Sequence, residues 1–522
     1  MSCGRKIKKN LNCCFFKHFR YCAMNWKKLQ NGSDIRGVAL EGIIGESVNL
    51  TPEIATVLGK SFVKWLQKIN DSDQIAVAVG TDSRLSGPTL QTAFMLGLQQ
   101  AGAKVFDCGM ASTPAMFMAT VLGENPVTAG VMITASHLPF NRNGFKFFSK
   151  NGGLDKIDIA ELLAIAENKA YAHNQLALIP VRKWAFIDTY SQFLVDYIRK
   201  QANISTNYEK PLQGLKIIVD AGNGAGGFFA TKVLTPLGAD VRGSQFLEPD
   251  GNFPNHVPNP ENSAAMQSIC EAVLREKADL GVIFDTDVDR SAIVDSKGNA
   301  INRNTLIAMI SAVILIEHPG STVVTDSITS NGLTKFIETE LQGKHHRYQR
   351  GYKNVINESI RLNNAGEESW LAIETSGHAA LKENYFLDDG AYLVAKLLVA
   401  MAKLHKQGKT LTDLICKLEH ALESKEIRFT IDTEDFGNYG KKVLADLEAK
   451  VKLQKGWEIV TPNYEGIRVR CEAPDEKGWF LLRMSLHDPV MPLNIESEVV
   501  NGIETITSRL KNMLAEYDAL KQ

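Results

Sequence analysis

Short apolar runs alternate with amphipathic stretches along most of the chain, and a polar motif follows most of the runs. Such runs are typical of buried strands, and apolar residues that recur every three or four positions predict helices. The predicted strands are residues 75–79, 131–133, 215–219, 280–284 and 323–324, and two predicted helices are residues 264–276 and 333–341. This alternation predicts α/β domains with mixed, largely parallel sheets, whose ligands gather beyond the carboxyl ends of the strands.

The pattern changes after about residue 422. Residues 427–431 and 467–470 alternate apolar and polar side chains, and residues 479–482 form an apolar run. A final helix is predicted over roughly residues 496–514. This part of the chain predicts a separate C-terminal α+β domain.

Size and composition narrow the class of protein. At ~100–200 residues per domain, the 522 residues predict about three or four domains. The net charge of -1 argues against a nucleic-acid partner, and no apolar run reaches the ~18–20 residues that span a membrane. The eight cysteines are not spaced as a disulfide framework, which suits a reducing compartment. We therefore expect a cytoplasmic protein that binds neither nucleic acid nor membrane.

The first 23 residues differ from the rest, because they contain six lysines and arginines and no acid. A presequence for an organelle is one interpretation. The other is a disordered extension before a natural start at Met24, which the near absence of serine favours. Half of the cysteines lie in these residues, so a zinc site is another interpretation, but they contain no CxxC pair of the kind that binds zinc.

Three aspartates stand at every second position directly after the predicted strand 280–284: Asp285, Asp287 and Asp289. Clustered carboxylates repel each other unless a cation lies between them, and Mg²⁺ is the first candidate. An EF-hand loop would need Gly and Glu where Arg290 and Ser296 stand. A solvated acidic turn remains the alternative, although the neighbouring Arg290 favours an anion beside the metal.

Ser136 and His137 follow the predicted strand 131–133, and Lys146 lies ten positions after the serine. Side chains of adjacent residues diverge, so this serine and histidine are not expected to form a nucleophile–base pair. The hydrolase motif GxSxG is absent from the sequence. Ser136 is therefore either an ordinary loop hydroxyl or, together with a distant metal site, a candidate phosphoryl carrier.

Other polar motifs are weaker signals. Residues 222–227 match GxGxxG after a strand, and Asp240 lies near the position of a ribose-binding acid, so a dinucleotide-linked enzyme is one alternative. Residues 373–378 group an acid, a hydroxyl and an imidazole that could bind sugar hydroxyls. Residues 483–489 join an arginine to a hydroxyl, which suits a phosphate monoester.

In their order and spacing, these motifs resemble the α-D-phosphohexomutase family over nearly the whole chain after residue 31. The resemblance implies four domains around a central cleft. Together with the shifts in pattern, it predicts an extension over residues 1–23 and domains over residues 24–185, 186–302, 303–420 and 421–522. The first three would be related α/β units that carry the phosphoserine, metal and sugar-binding loops, and the fourth would carry a phosphate-binding loop.

The resemblance also implies roles for individual residues. The expected catalytic residues are Ser136, Lys146, Arg36, His137 and Arg290, with Lys146 as the proton-transfer group. The expected metal ligands are Ser136, as phosphoserine, and Asp285, Asp287 and Asp289. The expected substrate-binding residues are Gly351, Lys353, Glu374, Ser376, His378, Arg483 and Ser485.

The implied reaction interconverts hexose 6-phosphate and hexose 1-phosphate through a phosphoserine enzyme, with Mg²⁺ as cofactor and a hexose bisphosphate as intermediate and activator. We expect a phosphomannomutase/phosphoglucomutase that is a monomer or weak homodimer. A phosphoglucosamine mutase and a non-catalytic sugar-phosphate binder remain alternatives. The chain departs from the family pattern at Thr286, Leu138, Ile373, His487 and Asp488, and the last three touch substrate recognition.

Overall fold

The structure is a computed structural model that describes residues 25–123, 127–170, 178–485 and 488–522. The predicted extension over residues 1–23, its cysteines, Met24 and His487 lie outside the described residues. Within the described ranges, no helix combines the length and apolar character needed to span a membrane.

The first sheet has eight strands in the order β1-β2-β6-β5-β3-β4-β8, with β7 paired to β6. Strands β5, β3, β4 and the edge strand β8 run parallel to one another, and the others pair antiparallel. The strands are β1 (Gln30–Asn31), β2 (Asp34–Val38), β3 (Ala76–Thr81), β4 (Lys104–Met110), β5 (Ala129–Ile133), β6 (Arg142–Ser149), β7 (Gly152–Gly153) and β8 (Arg182–Lys183). The helices are α1 (Pro52–Asn70), α2 (Gly87–Gln100), α3 (Thr113–Met118), α4 (Lys156–Glu167) and α5 (Phe186–Ala202).

The second sheet has the order β12-β11-β10-β9, with β9 and β10 parallel. Its elements are β9 (Ile217–Asp220), α6 (Ser263–Glu276), β10 (Leu280–Phe284), β11 (Ser291–Asp295) and β12 (Ala300–Ile301). The third sheet has the order β14-β13-β15-β16-β17, with β13 parallel to β14 and β15. Its elements are α7 (Arg303–Glu317), β13 (Thr322–Asp326), α8 (Asn331–Lys335), β14 (Lys344–Tyr348), α9 (Tyr352–Asn364), β15 (Ser369–Ile373), β16 (Ala379–Leu381), β17 (Leu387–Asp388) and α10 (Gly390–His405).

The last sheet is antiparallel, in the order β19-β20-β21-β22-β18-β23. Its elements are β18 (Glu423–Ile431), α11 (Phe436–Val451), β19 (Trp457–Ile459), β20 (Ile467–Cys471), β21 (Gly478–Leu482), β22 (Val490–Ser497), α12 (Gly502–Leu514) and β23 (Leu520–Lys521). The α/β fold class with a C-terminal α+β domain is thus confirmed. The predicted domain limits fall between the four sheets and stay predictions.

Two predicted helices differ from the structure. The final helix begins at Gly502, because residues 490–497 alternate in strand β22, which pairs with β18 and β21. The stretch 333–341 is divided into α8, which Ser330 caps by accepting a 3.0 Å hydrogen bond from the Leu333 amide, and a π-helical turn over Phe336–Glu340.

One apolar core runs through the first three sheets and includes Phe117, Phe229, Leu306 and Leu393. The C-terminal domain has a core of its own, around residues such as Phe480. Polar contacts join it to the third domain: the buried Arg468 donates to the carbonyls of Ser327 at 2.8 Å and Thr329 at 3.0 Å. The first three domains therefore form one packed body, and the fourth domain contacts the third through hydrogen bonds.

Candidate active site

The acidic motif forms the loop between β10 and β11, and its three aspartates are buried. One oxygen from each of Asp285, Asp287 and Asp289 lies within 4.8 Å of the others. The Oδ1 atoms of Asp287 and Asp289 are buried without a hydrogen-bond partner. This group of oxygens could hold a metal ion, as the alternation in the sequence predicts.

Ser136 lies in the loop that follows β5, at the carboxyl edge of the first sheet, with a φ of 50°. Its Oγ donates a 2.8 Å hydrogen bond to Oδ2 of Asp285 and accepts a 2.9 Å hydrogen bond from Nη2 of Arg290. The hydroxyl, a carboxylate of the acidic motif and a guanidinium from two domains therefore meet at one buried point, where the charges of a phosphoryl group could be neutralised.

Lys146 is on β6, and its ammonium lies 3.0 Å from Oδ2 of Asp287 and also contacts Asp289. Burial opposes the charge on Lys146, but the two aspartates raise its pKa well above the usual value. Arg36, on β2, donates to the Ala135 carbonyl at 3.2 Å and so reaches the serine loop. Both cations therefore lie beside the aspartates or the Ser136 loop, and their catalytic roles stay predictions.

His137 accepts a 2.6 Å hydrogen bond at Nδ1 from Nη2 of Arg290. Burial, followed by the charges of Arg290 and Arg36, lowers the pKa of His137 to about 2. The imidazole is therefore neutral at physiological pH. In this arrangement it acts as a hydrogen-bond acceptor that orients the guanidinium of Arg290.

The carboxylates of the metal loop differ in their preferred charge. Burial and the neighbouring aspartates raise the pKa of Asp285 well above its usual value. Burial also acts on Asp289, but Lys146, His378 and Arg290 together lower its pKa. Cations from the first and third domains thus stabilise the charged form of Asp289.

The predicted sugar-binding loop and the predicted substrate-binding residue Gly351 meet at Glu374. Its Oε1 accepts a 2.6 Å hydrogen bond from the Gly351 amide, and its Oε2 accepts a 3.3 Å hydrogen bond from Ser376. His378 pairs with Asp388 at 2.5 Å, and its Nδ1 lies 4.0 Å from Oδ1 of Asp289. The sugar loop is therefore in direct contact with the metal loop.

Lys353 lies apart from the residues around Glu374, although the resemblance places it among the substrate-binding residues. Its ammonium donates to the Gly153 carbonyl at 2.7 Å and lies 3.2 Å from Asp155. Both partners belong to the first domain, so Lys353 links that domain to the third. Its role in substrate binding stays a prediction.

The predicted phosphate-binding loop follows β21. Arg483 is buried, and its Nη1 lies 3.6 Å from Oε1 of Glu465. Oε2 of Glu465 in turn accepts hydrogen bonds from the Ser327 hydroxyl at 2.5 Å and the Arg350 amide at 3.2 Å. Ser485 lies at the end of the loop, where its amide donates a 2.8 Å hydrogen bond to the Val490 carbonyl.

The sequence did not single out several residues of this site. The Tyr352 ring stacks on His378 with centroids 5.2 Å apart, and its hydroxyl lies 3.0 Å from that of Ser33. Asp388 and Glu465 are also new. The position of Tyr352 between the predicted residues Gly351 and Lys353 could have indicated it. Asp388 reaches His378 through the pairing of β16 with β17, and Glu465 reaches the third domain through domain packing, which no motif signalled.

The glycine motif at residues 222–227 has a packing role. The Ala225 amide donates a 2.8 Å hydrogen bond to the Thr286 carbonyl, and a Cβ on Gly224 would lie 2.7 Å from the same oxygen. The turn therefore needs glycine because it supports the backbone of the metal loop. Asp240 is paired with Arg242 at 2.7 Å, so neither feature requires a dinucleotide.

The fold and site define a phosphohexomutase architecture, and comparisons with known proteins agree. Three family descriptions, "Phosphoglucomutase/phosphomannomutase, alpha/beta/alpha" domains I, II and III, match residues 27–172, 192–298 and 302–421. A phosphoglucomutase of Neisseria gonorrhoeae is 31% identical over 478 residues, which cover 91% of this chain and 95% of that protein. The chain therefore belongs to the α-D-phosphohexomutase family.

Other relatives carry related names. A phosphomannomutase/phosphoglucomutase of Pseudomonas putida is 30% identical over 486 residues, covering 92% of this chain and 95% of that protein. A crystal structure of a phosphoglucomutase/phosphomannomutase family protein from Burkholderia thailandensis is similar with a TM-score of 0.76 and 28% identity, covering 94% of this chain and 98% of that one. The likeness extends through all four domains.

Proposed function

We propose that the protein is a Mg²⁺-dependent phosphohexomutase that interconverts hexose 6-phosphate and hexose 1-phosphate through phosphorylated Ser136. The observation that carries the proposal is the position of Ser136 Oγ, 2.8 Å from Asp285 and 2.9 Å from Arg290. A serine that served only as a loop hydroxyl would not need a buried arginine and a metal-type carboxylate cluster beside it.

The residues fit a divalent cation. Asp285, Asp287 and Asp289, together with an oxygen of phosphorylated Ser136, would hold it, and the unpartnered Oδ1 atoms of two of the aspartates support this donor set. When bound, the cation would supply positive charge beside the transferring phosphoryl group.

The side chains around Ser136 would position and neutralise the phosphoryl group. Phospho-Ser136 gives its group to a free hydroxyl of the hexose monophosphate: the bond from phosphorus to the serine oxygen breaks and a bond to the sugar oxygen forms. Arg36, Lys146 and Arg290 would stabilise the charge on the phosphoryl oxygens. As the phosphoryl group moves, the sugar hydroxyl loses its proton and the departing serine oxygen gains one. Lys146, which the neighbouring aspartates keep as an ammonium, is the group that we propose for this transfer: it would give a proton to the serine oxygen and take up the proton of the sugar hydroxyl.

The second half of the reaction needs the sugar in the opposite orientation. The resulting hexose bisphosphate would turn within the cleft and return its other phosphate to Ser136. Arg483 and Ser485 would hold the non-reacting phosphate in each orientation, while Glu374, Ser376 and His378 would bind sugar hydroxyls. The fourth domain has its own apolar core and contacts the third through hydrogen bonds of Arg468, so we propose that it moves as a unit over the cleft and keeps water from phosphoserine.

A panel of substrates tests the proposal. Purified protein with Mg²⁺ and a hexose bisphosphate primer would be assayed with the 1-phosphates of glucose, mannose, glucosamine and N-acetylglucosamine. We expect turnover of the glucose and mannose phosphates. Preferred turnover of glucosamine phosphate would favour the alternative named by a relative, a phosphoglucosamine mutase of Lactobacillus delbrueckii that is 28% identical over 459 residues, covering 84% of this chain and 94% of that one. No turnover of any of them would contradict the proposal.

One alternative function and the oligomeric state are each tested by a simple measurement. A non-catalytic sugar-phosphate binder would bind the same ligands without turnover, and the complete set of Ser136, Lys146 and three aspartates argues against it. We further propose a cytoplasmic monomer or weak homodimer. Light scattering over a range of protein concentrations tests the oligomeric state, and a stable larger oligomer would contradict it.

A further inference from the structure

We propose that Arg84 is a positioning residue for phosphoryl transfer, which fixes the backbone of the Ser136 loop so that the serine oxygen faces the metal loop. The inference rests on the proposed function of Ser136. Arg84 follows β3, and it contacts neither the metal aspartates nor the residues expected to bind sugar through any hydrogen bond of the described ranges.

The guanidinium of Arg84 is buried inside the serine loop and donates to four of its backbone carbonyls. Nη1 donates to the carbonyls of Pro139 at 2.8 Å and Arg142 at 2.9 Å. Nη2 donates to the Leu138 carbonyl at 2.6 Å and to the carbonyl of Ser136 itself. The guanidinium of Arg84 therefore binds backbone carbonyls along the whole turn that carries Ser136, the proposed phosphoryl carrier.

A cation inside this loop is needed because the loop backbone is strained at Ser136 and its carbonyl oxygens converge. Ser136 has a left-handed φ of 50°, which costs free energy in a residue other than glycine unless the surroundings hold it. Four carbonyl oxygens that point toward one place also repel each other without a cation. A lysine could not replace this arrangement, since it has three donors at one point rather than five in a planar fork.

Arg84 is itself held from two sides. Oδ1 of the buried Asp82 accepts a 2.9 Å hydrogen bond from the Arg84 amide, and its Oδ2 lies 3.5 Å from the Arg84 Nε. From the second domain, the Phe253 ring centroid lies 5.5 Å from the Arg84 Cζ. A Cβ on Gly251 would lie only 2.5 Å from the Ser83 carbonyl.

The second domain therefore positions both parts of the site, the metal loop and the Ser136 loop that Arg84 holds. It carries the three aspartates of the metal loop, and its segment 251–253 packs against the backbone at Arg84. A displacement of Arg84 would move Ser136 relative to the aspartates without removing any group that contacts substrate. This predicts a loss in the chemical step rather than in substrate binding.

The test is Arg84→Lys in the full-length protein. Because a displacement of about 1 Å can cost about 100-fold in rate, we expect kcat to fall about 100-fold. We expect KM for glucose 1-phosphate to stay within about twofold, since the substrate contacts remain. The rate of Ser136 phosphorylation by glucose 1,6-bisphosphate, followed by intact mass, should fall in parallel with kcat.

Arg142→Lys is the matched control. Its side chain pairs with Glu46 and is 34% exposed, while its backbone carbonyl stays available to Arg84, so wild-type kcat is expected. Gly251→Ala is the second variant, because its Cβ would press on the backbone beside Arg84 and leave the arginine in place. We expect a fall in kcat on the order of 10-fold from it.

The results have distinct meanings. Wild-type kcat in folded Arg84→Lys overturns the inference, as does an equal loss in Arg142→Lys. Should Arg84→Lys fail to fold, as judged by circular dichroism, Gly251→Ala decides: wild-type kcat in it overturns the inference. Full activity of Ser136→Ala would instead overturn the proposed function itself.

Discussion

Ser136 Oγ and Asp285 Oδ2 lie 2.8 Å apart across the boundary between the first two sheets, although 149 positions separate them in the sequence. The contact arises because both residues follow the carboxyl ends of strands, β5 and β10, that face one cleft. A phosphoryl group on this serine would place its charge directly beside the metal-type carboxylates. This relationship leads to most of the predictions below.

Removal of one proposed metal ligand should weaken metal dependence sharply. Mutation of a residue that only hydrogen-bonds to a metal ligand lowers metal affinity by about 10–100-fold. Loss of a ligand itself should have a larger effect, so we expect Asp289→Asn to raise the Mg²⁺ concentration for half-maximal activity by at least about 100-fold. A titration of activity with Mg²⁺ measures this. Asp240→Asn is the control, because this acid lies outside the site and pairs with Arg242; an unchanged Mg²⁺ requirement in Asp289→Asn would refute the ligand assignment.

Phosphorylation of Ser136 should increase the affinity for Mg²⁺. A phosphoserine adds about −1.5 to −2 charge and three acceptor oxygens beside Asp285, so we expect a gain of at least about 10-fold. Calorimetric titration of the phosphorylated and dephosphorylated proteins compares the two states. Equal affinity in both would count against a phosphoserine oxygen as a ligand.

Loss of Arg483 should weaken binding of the non-reacting phosphate. Since hydrogen bonds to charged groups contribute about 1.5–3 kcal/mol, Arg483→Ala is expected to raise KM for glucose 1-phosphate by about 10–100-fold. Steady-state kinetics measures the change. Arg428→Ala is the control, since its side chain is 70% exposed and pairs with Glu426; a KM unchanged by both variants would contradict the proposed phosphate loop.

The pair His378 and Asp388 predicts a defined titration. Burial opposes the charge, but Asp388 and Asp289 raise the pKa of His378 to about 9. Because this lies above the usual value of about 6.5, protonation of His378 contributes stability that is fully present below about pH 6.5 and is lost as the pH rises through about 9. NMR titration of labelled histidine should find a pKa at least about one unit lower in Asp388→Asn.

Asp196→Asn, an exposed acid on α5, is the control for this titration and should leave the pKa of His378 unchanged. A His378 pKa that is the same in wild type and Asp388→Asn would show that Asp388 does not set it.

The pattern of apolar and polar residues predicted the features that depend on residues near one another in the chain. The strand Leu280–Phe284 has the predicted limits, and the three aspartates lie together in the short loop between the paired strands β10 and β11. Ser136 could be joined to them only through the resemblance to a family. From the residues alone it remained one of two alternatives, because no spacing rule reports a contact across 149 positions.

Features that depend on packing between domains were not predictable. Glu465 reaches Ser327 because the fourth domain packs on the third, whereas its contact with Arg483 lies within the fourth domain, beside the paired strands β20 and β21. Lys353 contacts Gly153 for a similar reason. The final helix began later than predicted because the alternation of residues 490–497 satisfies two neighbouring strands, and pairing across a sheet prevailed over the helical pattern.

The central claim is that Ser136 carries the transferred phosphoryl group, and one measurement tests it most directly. The dephosphorylated protein would be mixed with Mg²⁺ and a hexose bisphosphate labelled in both phosphates, then digested and mapped by mass spectrometry. We predict one label per chain, located on Ser136, transferred to hexose monophosphate on its addition and absent from Ser136→Ala. A label on another residue, or mutase activity in Ser136→Ala equal to that of the wild type, would contradict the claim.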